Sequence, residues 1–307
     1  MSRAGGGSVP VYAILVGPDV DNAEAILNMP CVDGVTVYIG WKRLEPKRGV
    51  FQFEKIENLI DLARKKKKKI NFGFLAGRWS PDWLQGLNVR YVTWTHVDAY
   101  VEDGVERASS APVPWDPVFK SEYIRFIKAV SGVVDQPDVV NSVSIVGGSN
   151  TNGLEVNFIA QDAEMSRVGF SKEKYIEAWK DFSSAYVENF KRVSLTLAVH
   201  EQYGSGRSAD VSKDLIAFVR GKVADRFYPM ALAFTEEGWF RAGNSYADLV
   251  LGEGAGHFAL QAIKVYSGKA RRIGFDAMMD RALLYRPRWL EVWSKDVSVG
   301  WLSCKQP

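Results

Sequence analysis

The sequence is poor in the residues that announce most small-molecule and metal chemistry. Two cysteines, Cys31 and Cys304, lie near opposite ends of the 307 residues. Two separated cysteines make neither a disulfide framework nor a zinc site; free thiols are the expectation, with a single bridge tying the two ends as the alternative. There are three histidines, His96, His200 and His257, and no HxH or HExxH spacing, so no metal site and no cofactor is expected. Leu15-Val16-Gly17-Pro18-Asp19 lacks the GxGxxG spacing of a dinucleotide loop, and no P-loop occurs. No G-x-S-x-G elbow occurs either; Gly204-Ser205-Gly206 matches only part of one. No apolar run reaches the roughly 18 residues of a membrane span, so no membrane partner is expected. Net charge is +3, too mild for a nucleic-acid binder. The basic run 65–69 reads as the solvated end of a helix, where lysine suits the dipole.

What the chain does contain is apolar and aromatic. Residues A, V, I, L, M, F, W, Y and C make up 47%, with 10 Trp and 12 Tyr. Residues 1–9 are Gly-rich without an apolar signal core and read as a flexible segment or tag remnant. Residues 10–307 read as one domain. The compartment is not readable, and a monomer or small homo-oligomer is expected.

Eight strand-like runs follow one another: 11–16, 35–39, 70–75, 140–146, 193–199, 226–234, 257–265 and 289–293. Seven are followed by a helical stretch. Asp116 before Pro117, and Ser171, read as helix caps. Alternating strands and helices point to parallel βαβ units. Eight of them in this length fit an α/β fold of the (β/α)8 TIM-barrel type. Residues 85–114 read as one long irregular loop, with Tyr91, Trp94, His96 and Tyr100 lining a groove or packing on the surface.

In such a barrel one parity of each strand faces inward. That parity places Glu291, Trp293, Gln261 and His200 in the interior, and Glu201 outside. A buried carboxylate needs partners; Glu291 is either paired with Arg78 or a lysine, or functional. Glu155 stands in the loop after the fourth strand run, either exposed or functional. Polar and aromatic residues also gather where strands stop, at Trp41, Arg78, Trp79, Tyr203 and Trp239. In a TIM barrel those carboxyl ends form the active face.

The segment Trp41, Leu44-Glu45-Pro46, Gly49-Val50-Phe51-Gln52-Phe53 resembles the W-x-x-x-E-P-x-x-G-x-y-x-F signature of the TIM-barrel β-glycosidases. Pro81-Asp82-Trp83-Leu84 resembles their P-x-W-L, and Trp293 stands where many carry a sugar-stacking tryptophan. The resemblance implies a glycoside hydrolase that cleaves O-glycosidic bonds in an oligo- or polysaccharide, with carbohydrate as its partner. It implies a general acid after strand four, which Glu155 matches without the usual preceding Asn, because Leu154 stands there. It implies a nucleophilic glutamate at the end of strand seven, where this chain has Gln261. An amide is no nucleophile of that kind, so three readings stay open: Gln261 is an inactivating substitution, hydrolysis has been lost, or the nucleophile comes from elsewhere, with Glu291, Glu201 and Glu237 the nearest candidates and Glu291 preferred by parity. Arg78, His200 and Tyr203 are expected to hold the carboxylates or bind sugar, and Trp41, Trp79, Trp239 and Trp293 to stack on sugar faces. Two carboxyl groups about 5–5.5 Å apart predict retention, and about 6.5–9.5 Å inversion. A carbohydrate-binding barrel without catalysis is the alternative. A barrel enzyme acting on phosphorylated or metal-bound small molecules is a third.

Overall fold

The computed structural model describes residues 9–97, 106–200, 209–238 and 240–302. Its strands are β1 (Val11–Val16), β2 (Gly34–Gly40), β3 (Lys69–Leu75), β4 (Tyr91–Val97), β5 (Glu106–Pro112), β6 (Val140–Ser144), β7 (Ser194–Val199), β8 (Phe227–Phe234), β9 (Ala259–Ala262) and β10 (Trp289–Trp293). Its helices are α1 (Ala23–Leu27), α2 (Trp41–Leu44), α3 (Glu54–Lys65), α4 (Pro117–Val134), α5 (Asp162–Arg167), α6 (Lys172–Asn189), α7 (Asp210–Val223), α8 (Ser245–Leu251), α9 (Arg271–Tyr285) and α10 (Ser294–Ser298).

Eight strands close into a parallel barrel in the order β1-β10-β9-β8-β7-β6-β3-β2. The closing seam pairs Tyr12 with Glu291 and Ile14 with Trp293. The fold is therefore the (β/α)8 barrel that the alternation of strands and helices implies. Both expected caps are present. The Asp116 carboxylate accepts from the amides of Val118 and Phe119, and the Ser171 hydroxyl accepts from that of Lys174. Each satisfies amides that a first helical turn leaves unpaired.

Inward and outward faces differ in chemistry. Outward side chains such as Val35, Val37, Phe72 and Phe74 are buried under the helices. Beneath α4 and α6 they merge with an aromatic cluster of Trp41, Phe119, Tyr123, Phe126 and Phe182. The inward set includes Thr36, Asn71, Ser142, Ser144, Thr196, Gln261 and Glu291, all buried. Such a polar interior is stable only if its members bond one another. They do: the Ser142 hydroxyl donates to Asn71 Oδ1 at 2.8 Å, Asn71 Nδ2 donates to Thr36 Oγ1 at 3.2 Å, and the Ser144 and Thr196 hydroxyls meet at 3.0 Å.

Three expectations are corrected here. Residues 85–114 are not a single irregular loop, because β4 and β5 pair antiparallel, from Tyr91↔Pro112 to Val97↔Glu106. Trp94 is buried in that hairpin, while Tyr100 lies outside the described residues. Helix α5 packs along β4, where Glu164 accepts from the Thr93 amide at 2.8 Å and Arg167 donates to the Tyr91 carbonyl at 2.6 Å. Cys31 is disulfide-bonded rather than a free thiol; Cys304 lies outside the described residues. The seventh barrel strand is short, Ala259–Ala262, so His257 precedes it instead of opening it.

Candidate active site

The site is built around Tyr38, the fifth residue of β2. Its ring turns into the barrel over β3, where Gly73 makes room: a Cβ at Gly73 would stand 2.5 Å from the Tyr38 ring. The hydroxyl reaches two acceptors, Gln261 Oε1 and Glu291 Oε2, each at 2.7 Å. These two residues are register partners on β9 and β10. Asn71 Nδ2 and Trp289 Nε1 donate to the other Glu291 oxygen at 3.2 and 3.3 Å. No cation is among the described groups that hold Glu291, so of its two readings, pairing with Arg78 or a lysine is not the one these contacts fit.

Neutral surroundings have a titration consequence. Burial pushes the Glu291 carboxyl up to about 7, although Tyr38, Thr36, Trp289 and Asn71 pull it part of the way back by hydrogen bonding. A phenol has one proton, and two carbonyl-type oxygens at 2.7 Å cannot both receive it. A proton on Glu291 resolves the arrangement: the carboxyl donates to Tyr38, and Tyr38 donates to Gln261. Turning the Gln261 amide so that Nε2 donates is the other solution. Burial, Glu291 and Glu155 together hold Tyr38 far above the ordinary phenol range, so it stays a neutral donor.

Glu155 comes from the loop after β6. That loop is locked by its own polar side chains. Asn152 Oδ1 accepts from the amides of Leu154 and Glu155 at 3.0 and 3.1 Å, and its Nδ2 donates to Glu155 Oε2 at 2.5 Å. Asn150 ties to both the amide and the carbonyl of Ile159. The Val156 amide bonds the Ala198 carbonyl at the end of β7. Glu155 is buried, not an exposed loop carboxylate. Burial raises its pKa, against the opposing charge of His200 and the Asn152 hydrogen bond. Both carboxylates act electrostatically on Tyr38, and the side chain of Leu154, next to Glu155, lies 3.1 Å from where a Cβ at Gly73 would stand.

The other expected residues divide. His200 lies close enough to act by charge on Glu155 and stacks on Tyr246 at 6.2 Å between centroids. Its backbone is held through both the amide and the carbonyl by the Ser212 hydroxyl. Trp79 is half-buried, with the Arg78 guanidinium 5.1 Å and Lys42 Nζ 5.5 Å from its ring centroid. Its indole nitrogen is buried and has no hydrogen-bond partner among the described residues. Trp293 is half-buried and anchored by donation to the Ala262 carbonyl at 2.9 Å. Tyr203, Trp239 and Glu201 lie outside the described residues.

Trp41 is corrected outright. It is 0% exposed, packed among Phe119, Tyr123 and Phe126, and cannot stack on a ligand. Its indole donates to Glu45 Oε2 at 2.8 Å, while the Gly49 amide and Arg125 Nη2 donate to Glu45 Oε1 at 2.6 and 2.5 Å. The Trp-Leu-Glu-Pro-Gly stretch is thus a structural hub that fixes the turn after β2. The residues that sequence reasoning passed over are Tyr38 and Asn71. Their inward parity on β2 and β3 was the available signal.

No protein-family model and no curated protein matches the chain. Solved structures resemble it in fold. The catalytic domain of β-amylase from Paenibacillus polymyxa superposes with a TM-score of 0.55 at 10% identity, covering 93% of this chain and 92% of that one. Endo-glycoceramidase II from Rhodococcus sp., in its cellobiose-like isofagomine complex, gives 0.54 at 13% identity over 95% and 75%. A psychrophilic glycoside hydrolase family 10 endo-β-1,4-xylanase gives 0.52 at 10% identity over 93% and 86%. At these identities the likeness is one of barrel architecture.

Proposed function

We propose that the protein is a glycoside hydrolase, with Glu155 as general acid and Glu291 as the second carboxylate. One observation carries the reading: two buried carboxyl groups, both with raised pKa, act on one tyrosine inside a barrel. Glycosidic cleavage needs one carboxyl that holds a proton for the departing oxygen. It needs another that, ionised, meets the anomeric carbon or a water on the opposite side. Burial is the standard way to keep an acid protonated near neutrality. Barrels with glycosidase names among the similar structures favour this chemistry over binding alone.

The amide at Gln261 then has a reason. The strand-seven position carries no carboxylate, yet its register partner on the next strand does. We assign Gln261 the orientation of Tyr38, and Glu291 the role that strand seven otherwise fills. Arg78, Trp79, His200 and Trp293, with Tyr203 and Trp239, are proposed to contact a carbohydrate substrate.

The test is turnover of a broad glycoside and polysaccharide panel by the unaltered chain and three variants. Glu155→Gln and Glu291→Gln are each expected to lower kcat by at least about a thousandfold, the scale of losing an acid/base or nucleophilic group. Gln261→Glu is expected to lower it, because a second carboxylate beside Glu291 holds a shared proton. If Gln261→Glu alone is active, the nucleophile belongs on strand seven and Glu291 is a positioning residue. Saturable sugar binding without turnover by any version makes the chain a binding barrel.

A further inference from the structure

A cleft of about 1350 Å³ opens at the carboxyl ends of β1, β2 and β3. It starts at Tyr38 and Trp79 and runs outward over α2, between the 17–22 turn and the first turns of α3. That volume exceeds the roughly 300–1,000 Å³ of a typical small-molecule pocket. It leaves room for more than a sugar ring beside Tyr38. Away from Tyr38 its walls are half-buried apolar side chains: Val20, Ile39, Phe51, Phe53 and Trp79. Phe51 and Phe53 stack at 5.2 Å and 15° and present a flat wall. Charges occur along the lining in equal number, with Lys42, Arg43 and Lys55 against Asp21, Glu54 and Glu57. Lys55 and Asp21 pair at 3.1 Å. A charged ligand gains nothing from such a balance, whereas an uncharged apolar one gains the whole wall.

We infer that this cleft holds the aglycone of the substrate, and that the aglycone is an uncharged apolar group, an alkyl chain or aryl ring. The inference rests on the glycosidase reading for its chemistry and on the cleft alone for its ligand class. A sugar seated beside Tyr38 directs its leaving group past Trp79. There the apolar wall begins. Burying each further methylene of an alkyl aglycone is worth about threefold to fourfold in affinity.

The experiment compares methyl, butyl and octyl β-glucosides and β-galactosides, all below their micelle concentrations. Their leaving alcohols have similar acidity, so differences report the cleft and not the chemistry. Affinity is measured by calorimetry, and kcat/KM in parallel. The octyl glycosides are expected to bind the unaltered protein at least about tenfold more tightly than the methyl ones. Val20→Trp, which fills the cleft, is expected to bring that ratio to near one. Equal binding of octyl and methyl glycosides, or no octyl binding, overturns the aglycone cleft whatever the turnover shows. An octyl advantage that Val20→Trp leaves intact in a folded variant overturns it too. Tight octyl binding with no hydrolysis of any member overturns the glycosidase reading and leaves the cleft assignment standing.

Discussion

At the scale of single residues, Glu291 ties the chemistry of the site to the stability of the barrel. A glutamate in an unfolded chain titrates near about 4.3, and Glu291 in the folded barrel titrates at about 7. Between those values the folded state keeps a proton that the unfolded state has released. The stability contributed by this group is therefore fully present below about pH 4.3, and it is lost as pH rises through about 7. Glu291→Gln removes the loss, because an amide keeps the oxygen that accepts from Asn71 and Trp289. The variant is expected to melt with the parent at pH 4, and above it by roughly 5 °C at pH 8. Calorimetry at both values checks this; a gain of the same size at both overturns the raised pKa. Turnover has the opposite slope. An ionised Glu291 is needed, so kcat/KM of the parent is expected to climb between about pH 6 and pH 8.

Among the elements, the turn after β3 and the loop after β6 depend on each other. Gly77 has φ +61, and a Cβ there would stand 2.1 Å from the Ser149 carbonyl oxygen. Both the backbone conformation and the contact exclude a side chain. Gly77→Ala is expected to lower unfolding stability by about 2–4 kcal/mol, read from urea midpoints, and to lower turnover by displacing the loop that carries Glu155. Unchanged stability would mean that the two segments move apart freely. This scale also separates what the sequence reveals from what it conceals. Caps at Asp116 and Ser171 are local chemistry and were legible. So was the inward parity of Glu291 and Gln261, because a strand alternates whatever surrounds it. The burial of Trp41 was not legible, since a tryptophan at a strand end reads the same whether a sugar or α4 covers it. The β4–β5 hairpin did carry a signal, the alternation of Tyr91-Val92-Thr93-Trp94-Thr95. Its partner strand, Ala108-Ser109-Ser110-Ala111, has weak strand propensity and hides the pair.

For the molecule as a whole, the eightfold alternation of strand and helix was enough to reach the barrel, because few other arrangements bury eight such units. Which two carboxylates meet inside it depends on strand register and loop closure, and those are settled only in three dimensions. A net charge of +3 spread over 307 residues leaves no long-range field to steer a ligand. For a neutral glycoside, kcat/KM is expected to change less than about twofold between 20 mM and 500 mM salt. A tenfold fall would identify an anionic substrate instead. Closing the sheet has one further effect. A barrel has no border strand, so among the described residues only the β4–β5 hairpin offers backbone groups to a foreign strand. Along β4 two of those groups are taken: Glu164 occupies the Thr93 amide and Arg167 the Tyr91 carbonyl. The ion pair on α5 thus insulates the molecule against strand-by-strand self-association, and a protein that lost it would be expected to show its first tendency to aggregate at this border.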